Sequence, residues 1–235
     1  MDTRIYIMTH KKFDVPQKQG YFPLQVGREG KEDLGYLCDN EGEHISGKNA
    51  SYCELTGLYW MWKNVRCDIA GLCHYRRYFI KQEEAQCDSR LEEKLLDCEY
   101  IEKCLQHYDI IVPNSGMSRE RSVKEHYQIR HHIADLQICG AVLREKYPED
   151  YPAFEWSLST NLISLGNMVI APKPILDRYC EWLFDILSEV ENRIDISDYD
   201  DYQKRVFGFL AERLFRVWLL NRQLKIREEQ ILFLE

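Results

Sequence analysis

The stretch that most restricts the fold is 49–78, NASYCELTGLYWMWKNVRCDIAGLCHYRRY. Leu55, Leu58, Tyr59 and Trp62 recur at i, i+3, i+4 and i+7, the spacing of one apolar helix face. Ser51 and Glu54 stand three apart, as in a capping box. A helix over 50–64 is predicted. Ile69 to Cys73 is an apolar run containing a glycine, as expected of a strand (68–73) buried on both faces. That pattern cannot continue into His74, Tyr75, Arg76, Arg77 and Tyr78. The polarity switch places these residues at the carboxyl edge of a sheet, where open α/β sheets bind ligands.

The rest of the chain alternates in the same way. Arg4 to Thr9 reads as an opening strand, followed at its carboxyl end by His10, Lys11 and Lys12. Such an end suits a nucleotide or an ordinary polar loop. Positions 14–47 are rich in Gly and Pro, with short strands expected at 21–26 and 34–37. Neither GxGxxG nor GxxxxGK[ST] occurs, which removes the usual support for Rossmann cofactor binding and P-loop chemistry. Positions 83–93 are charged and expected to be exposed. A helix is expected over 92–107, broken near Asp97, then a buried strand over 109–112. Positions 118–147 are mostly helical, and 161–171 read as a third strand bent at Gly166. Pro172 and Pro174 open a helix to about Arg193, with Leu176, Tyr179, Cys180, Leu183, Leu187 and Val190 on one face. A last helix runs from Gln203 to Arg222 with Phe207, Leu210, Leu214 and Val217 inward, and the tail adds an edge strand. Alternating helices and short apolar strands predict an α/β fold with a mostly parallel sheet flanked by helices. No linker divides the chain, so 1–235 is expected to be one domain: an α/β core over 1–171 with C-terminal helices, 172–235, packed on it.

Net charge is −8, which argues against a general nucleic-acid binder, because phosphate neutralisation needs clustered cations. No run approaches the roughly 18 apolar residues of a membrane span. Met1-Asp-Thr-Arg leads into only a short apolar run, so no signal peptide is expected. A cytoplasmic address is expected, with peripheral attachment at the inner face of the plasma membrane left open. The nine cysteines include no CxxC, and they are read as reduced, small core residues.

Several groups could carry chemistry. His74, Arg76 and Arg77 suit a diphosphate through charge-assisted, bidentate hydrogen bonds, and Tyr75 could stack on a base or sugar. The alternative is a solvated strand end. His126, His131, His132 and Asp135 could hold a metal, contact substrate, or cap a helix, but no HExxH is present. Asp198-Tyr199-Asp200 is formally a DxD, yet it lies between helices and reads as a solvated acidic turn. Glu212, one turn beyond Gly208, is a candidate catalytic carboxylate or half of a salt bridge with Arg213. Gly166-Asn167-Met168 suits a close approach of backbone and amide to a ligand, or a bulge. GxSxG is absent, so no esterase elbow is expected.

Taken together, IYIMTHK, YFPLQVG, GYLCDNEGEHIS, YCELTGLYWMWKN, GLCHYRRYF, YDIIVP, NMVI and EWLFDILSEVENRIDIS resemble one family in order along nearly the whole chain. It is a domain-of-unknown-function family of bacterial capsular and exopolysaccharide biosynthesis clusters, regarded as glycosyltransferases. The resemblance implies a GT-A-like, Rossmann-like fold and a hexosyltransferase that moves a sugar, galactosyl or galactofuranosyl among the options, from a UDP-linked donor. The acceptor implied is a lipid-linked or oligosaccharide glycan. Thr9, His10, Lys11, His74, Tyr75, Arg76, Arg77 and Asn167 are expected to bind the donor, and on that template the strand ending in HYRR occupies the place where metal-dependent relatives put DxD. His74, Arg76 and Arg77 stand in for the cation that metal-dependent relatives hold with DxD, so no metal ligands and no required cofactor are expected. Asp135, His132 and Glu212 are the candidates for the base that takes the acceptor proton. The competing classes are a non-catalytic glycan- or nucleotide-binding component and a metal-dependent hydrolase.

Overall fold

Strand β1 (Thr3–Thr9) lies between β2 (Tyr21–Gln25) and β4 (Ile69–His74), parallel to both. The computed structural model describes residues 1–81, 89–164 and 166–234. Ile5 and Ile7 of β1 enter one core cluster, while Tyr6 and Met8 enter the other. Ala70 and Leu72 of β4 likewise face away from Ile69 and Cys73. Both strands are therefore covered on both faces, which is why their sequences read as unbroken apolar runs. Gly71 has a specific cause: a Cβ there would stand 2.6 Å from Ile170 Cγ1 and 2.8 Å from Ile5 Cδ1.

The short β3 (Leu37–Cys38) extends the sheet beyond β2. On the other side of β4 run β9 (Val169–Pro172), β6 (Ile110–Pro113), β10 (Ile226–Phe233) and β5 (Arg77–Ile80), and β5 returns to β4. The pairings β1–β2, β1–β4, β2–β3 and β6–β10 are parallel, whereas β4–β5, β4–β9, β6–β9 and β5–β10 are antiparallel. The expectation of a mostly parallel sheet is thus corrected to a mixed, partly closed one. The reason lies at HYRRY: Tyr75 and Arg76 make a two-residue turn, and Tyr78, Phe79 and Ile80 are buried again as β5. A turn that short allows only an antiparallel return. A further pair, β7 (Gly116–Met117) with β8 (Leu162–Ile163), forms its own small ribbon.

The helices are α1 (Asn49–Tyr52), α2 (Leu55–Asn64), α3 (Leu91–Lys94), α4 (Cys98–Cys104), α5 (Val123–Arg130), α6 (Ile133–Lys146), α7 (Tyr151–Ser159), α8 (Lys173–Glu191) and α9 (Val206–Asn221). The apolar faces expected for α8 and α9 are buried as read. Asp97 caps α4, accepting from the Tyr100 amide at 2.8 Å, so the break expected there is present. Positions 82–88, which hold Cys87 and most of the charged stretch, lie outside the described residues.

Four further expectations are corrected. The single helix over 50–64 is two helices, because Cys53 adopts φ 53°. The Ser51–Glu54 capping box does not form: Ser51 Oγ donates to the Lys48 carbonyl, and Glu54 is turned to another partner. The strand over 161–171 is β8 and β9, separated by Gly166 and Asn167 at φ 101° and 47°. The tail strand β10 is interior, held between β5 and β6. Helix α7, which opens on Pro152, lacked a periodic signal in the sequence.

Candidate functional site

Three chain segments end together at the carboxyl edge of the central strands. The Val26 amide donates to the Thr9 carbonyl at 2.8 Å, and the Tyr75 amide donates to the Met8 carbonyl at 3.1 Å. Thr9 is buried, and its Oγ1 donates to the Lys11 carbonyl at 2.6 Å. That tight turn leaves His10 and Lys11 at the surface. Tyr75 is the hub. Its ring has His10 edge-on at 5.4 Å, Lys11 Nζ at 5.3 Å, Arg76 Cζ at 5.0 Å and Phe13 at 6.0 Å. Phe13 in turn meets Tyr36 at 5.8 Å. Although exposed, His10 is partly desolvated by its neighbours, which lowers its pKa, and nearby positive charges lower it further. The edge is therefore a neutral imidazole and a tyrosine ring among converging cations, a composition suited to a phosphorylated ligand.

A buried carboxylate fixes the loop that carries Lys31. Asp39 is fully buried and accepts from the Gly27 and Arg28 amides at 2.7 and 3.0 Å, from Ser46 Oγ at 2.5 Å and from Thr56 Oγ1 at 2.6 Å. Loop, turn and helix α2 are thus tied at one point. A buried charge is tolerable when it is hydrogen-bonded this fully.

Beside the cationic edge lies a second layer, built on the Gly166–Asn167 turn. His74 Nε2 donates to the Gly166 carbonyl at 2.6 Å, which places the ring proton on that nitrogen. Burial keeps His74 neutral by lowering its pKa, against the opposing charge of Glu54. The Gly166 amide donates to Glu212 Oε1 at 2.7 Å. Asn167 Nδ2 donates to Glu54 Oε1 at 2.8 Å and to the Gly208 carbonyl at 3.3 Å. Asn167 Oδ1 is buried and has no hydrogen-bond partner among the described residues. Glu212 Oε2 pairs with Arg213 at 2.7 Å, and Arg213 also contacts His126 Nδ1 at 3.2 Å. Burial raises the Glu212 pKa; Arg213 opposes the shift and Glu54 adds to it. Two carboxylates therefore face one turn whose backbone and amide hold them in place.

The sequence-predicted residues divide. Thr9, His10, Lys11, Tyr75 and Arg76 meet at the cationic edge. His74, Asn167 and Glu212 meet in the second layer, where a Cβ on Gly166 would stand 3.4 Å from Arg77. Asp135 and His132 pack elsewhere, both against Tyr199. Asp135 is buried and accepts the Tyr199 hydroxyl at 2.8 Å, while the His132 ring lies 4.3 Å from that of Tyr199. Asp200 accepts the Gln203 amide at 2.7 Å, capping the short turn before α9. Among the described residues, no three His, Cys, Asp or Glu side chains are grouped so as to hold a metal ion.

Sequence reading missed Glu54, Lys31, Asp39 and Arg205. Glu54 was assigned to a cap, and its spacing within the helix gave no sign of a partner 113 positions away. Arg205 stands one turn before Phe209 on the exposed end of α9, a weak signal by itself.

No curated protein matches the chain. The apo structure of WbbM, a bifunctional glycosyltransferase, superposes with a TM-score of 0.91 at 32% identity, covering 99% of this chain and 45% of that one. The chain thus spans less than half the length of this similar protein. Residues 4–223 match the profile of a domain of unknown function, DUF4422. With the match running from β1 through α9, the chain belongs to the DUF4422 family.

Proposed function

We propose that the protein is a glycosyltransferase that moves a hexosyl unit from a nucleotide-sugar donor to a glycan acceptor, using a GT-A-like arrangement of its sheet edge. The observation that carries this reading is the meeting of His10, Lys11 and Arg76 on the Tyr75 ring at the carboxyl edge of β1 and β4. The likeness to WbbM supports the reaction class. Tyr75, flanked by Phe13, offers a platform for the base, and the cations take the diphosphate. Preorganised charge at the departing phosphate oxygen is the largest electrostatic help available to such a reaction.

In this reading the acceptor hydroxyl oxygen bonds to the anomeric carbon as the bond from that carbon to the diphosphate breaks. The hydroxyl proton passes to Glu212. Of the three candidate bases, Glu212 is the one at the Gly166–Asn167 turn; Asp135 and His132 pack elsewhere, against Tyr199. The family resemblance favours a UDP-linked galactosyl or galactofuranosyl donor, a lipid-linked or oligosaccharide acceptor of a surface polysaccharide, no required cofactor, and a site of action at the cytoplasmic face of the membrane. Among the described residues, no helix is long and apolar enough to cross a membrane.

The test is thermal stabilisation by UDP, GDP and CMP, each with manganese and with EDTA. A ligand bound only by the folded state raises its stability as concentration exceeds Kd. One nucleotide should stabilise the protein equally under both conditions, and Arg76→Ala should weaken its binding about tenfold. Arg76 is exposed, so folding should be unchanged. Stabilisation by none of the three, or wild-type affinity in an Arg76→Ala, Arg77→Ala double variant, would overturn the phosphate-clamp reading.

A further inference from the structure

Arg205, the N-cap of α9, is followed along one side of the helix by Phe209 and Glu212 at i+4 and i+7. The first two belong to an aromatic ledge. The His131 ring stacks on Phe209 at 4.0 Å and 27°, and lies nearly parallel to Tyr202 at 5.8 Å and 21°. Tyr202 and Phe209 meet at 5.2 Å. Arg205 Cζ sits 5.9 Å from the Tyr202 ring and 5.6 Å from the Phe209 ring, and its Nε reaches Cys53 Sγ at 3.2 Å.

This cluster is not sealed into the core. Tyr202 is 50% exposed. Glu212, next along the same side of the helix, keeps 15% of its side chain accessible. The His131 Nδ1 atom is buried with no hydrogen-bond partner among the described residues. Gln203 anchors the segment, its side-chain amide donating to the Arg130 carbonyl at 2.8 Å. Tyr202 is thereby held over His131 without being covered.

We propose that the Tyr202–Phe209–His131 ledge is the subsite for the acceptor sugar. The apolar C–H face of a pyranose ring would lie on the exposed Tyr202 ring, with its hydroxyls turned toward Arg205 and Glu212. This assignment rests on the transferase reading for its direction and on the ledge itself for its chemistry. The half-exposed Tyr202 ring takes up such a sugar at low entropic cost, because His131 and Phe209 already hold it in place. The Arg205 guanidinium lies against the ledge, 5.9 Å from the Tyr202 ring and 5.6 Å from the Phe209 ring. With the sugar on the ledge, Glu212, three residues beyond Phe209 on α9, would stand beside it.

The test is saturation-transfer NMR with the methyl glycosides of galactose, glucose, mannose and N-acetylglucosamine, run with and without saturating UDP. Wild type and Tyr202→Ala are compared, and UDP binding is measured separately by calorimetry. At least one glycoside should receive saturation from aromatic protons, and Tyr202→Ala should weaken its binding about tenfold while UDP binding stays as in wild type. Absence of signal from all four glycosides under both conditions overturns the subsite, as does a Tyr202→Ala signal equal to wild type. Loss of UDP binding in Tyr202→Ala also overturns it, because the ledge would then serve the nucleotide. Glycoside binding that depends on Tyr202 in a protein that binds no nucleotide supports the subsite while counting against the transferase reading.

Discussion

Glu54 Oε1 accepts the side-chain amide of Asn167 at 2.8 Å, joining the N-cap of α2 to the left-handed turn before β9 across 113 positions of sequence. The contact explains why a non-glycine residue is held at φ 47°. Asparagine tolerates that region better than other side chains, and here its amide spans from Glu54 to the Gly208 carbonyl.

Asn167→Ala should therefore destabilise the protein by about 2–3 kcal/mol, from the left-handed backbone and from the lost hydrogen bond to a charged group. Asn167→Gly should recover the backbone part and leave the rest. Urea denaturation of both variants checks this. If the glycine variant is no more stable than the alanine variant, backbone strain is not what this position withstands.

Asp39 offers a second stability test. Replacing it by Ala strands two backbone amides and two hydroxyls in a fully buried place. The expected loss is about 3 kcal/mol or more, with Asn costing roughly half as much because it keeps an acceptor oxygen. Denaturation midpoints and limited proteolysis of the 27–39 loop provide the readouts. Equal stability of Asp39→Ala and wild type would show that the loop does not depend on this tie.

Glu212 should set the acid limb of turnover. Burial raises its pKa above the ordinary 4.5, so the base form is lost as pH falls through that raised value, earlier than for a solvated carboxylate. Glu212→Gln should lower kcat by on the order of 10²-fold or more and leave nucleotide binding near wild type. Glu54→Gln should shift the limb toward lower pH, since it removes the negative charge that pushes the Glu212 pKa up. An unchanged pH profile in Glu54→Gln would sever the coupling between the two carboxylates.

Stability should also depend on pH through the histidines. Burial, with Arg213 adding, pushes His131 down to about 4 from the ordinary 6.5, and desolvation also depresses His10, His74 and His126. A histidine depressed in the fold takes up its proton more readily when unfolded. Its contribution is present above pH 6.5 and is lost as pH falls toward the folded value. Urea midpoints should therefore fall between pH 7 and pH 5, and less steeply in His131→Phe, which keeps the stacked ring and removes the titration. A His131→Phe slope equal to wild type would assign the effect to the other three.

Local pattern by itself determined the helices α8 and α9, the buried strands β1, β4 and β6, and the basic cluster at the end of β4. Each of these is a short-range consequence of apolar spacing and of where polarity switches, and such signals survive without any partner. What only the tertiary structure decided was pairing. Whether Tyr78–Ile80 would leave as a loop or return as β5, whether the tail strand would close the sheet or flank it, and which carboxylate would meet which turn all depend on partners far along the chain. Glu54 shows the physical reason. As a member of SYCE its spacing is that of a helix cap, worth on the order of 1 kcal/mol, but a hydrogen bond from the buried Asn167 amide to the Glu54 carboxylate outweighs that cap. The left-handed Cys53 bends the helix to let it form.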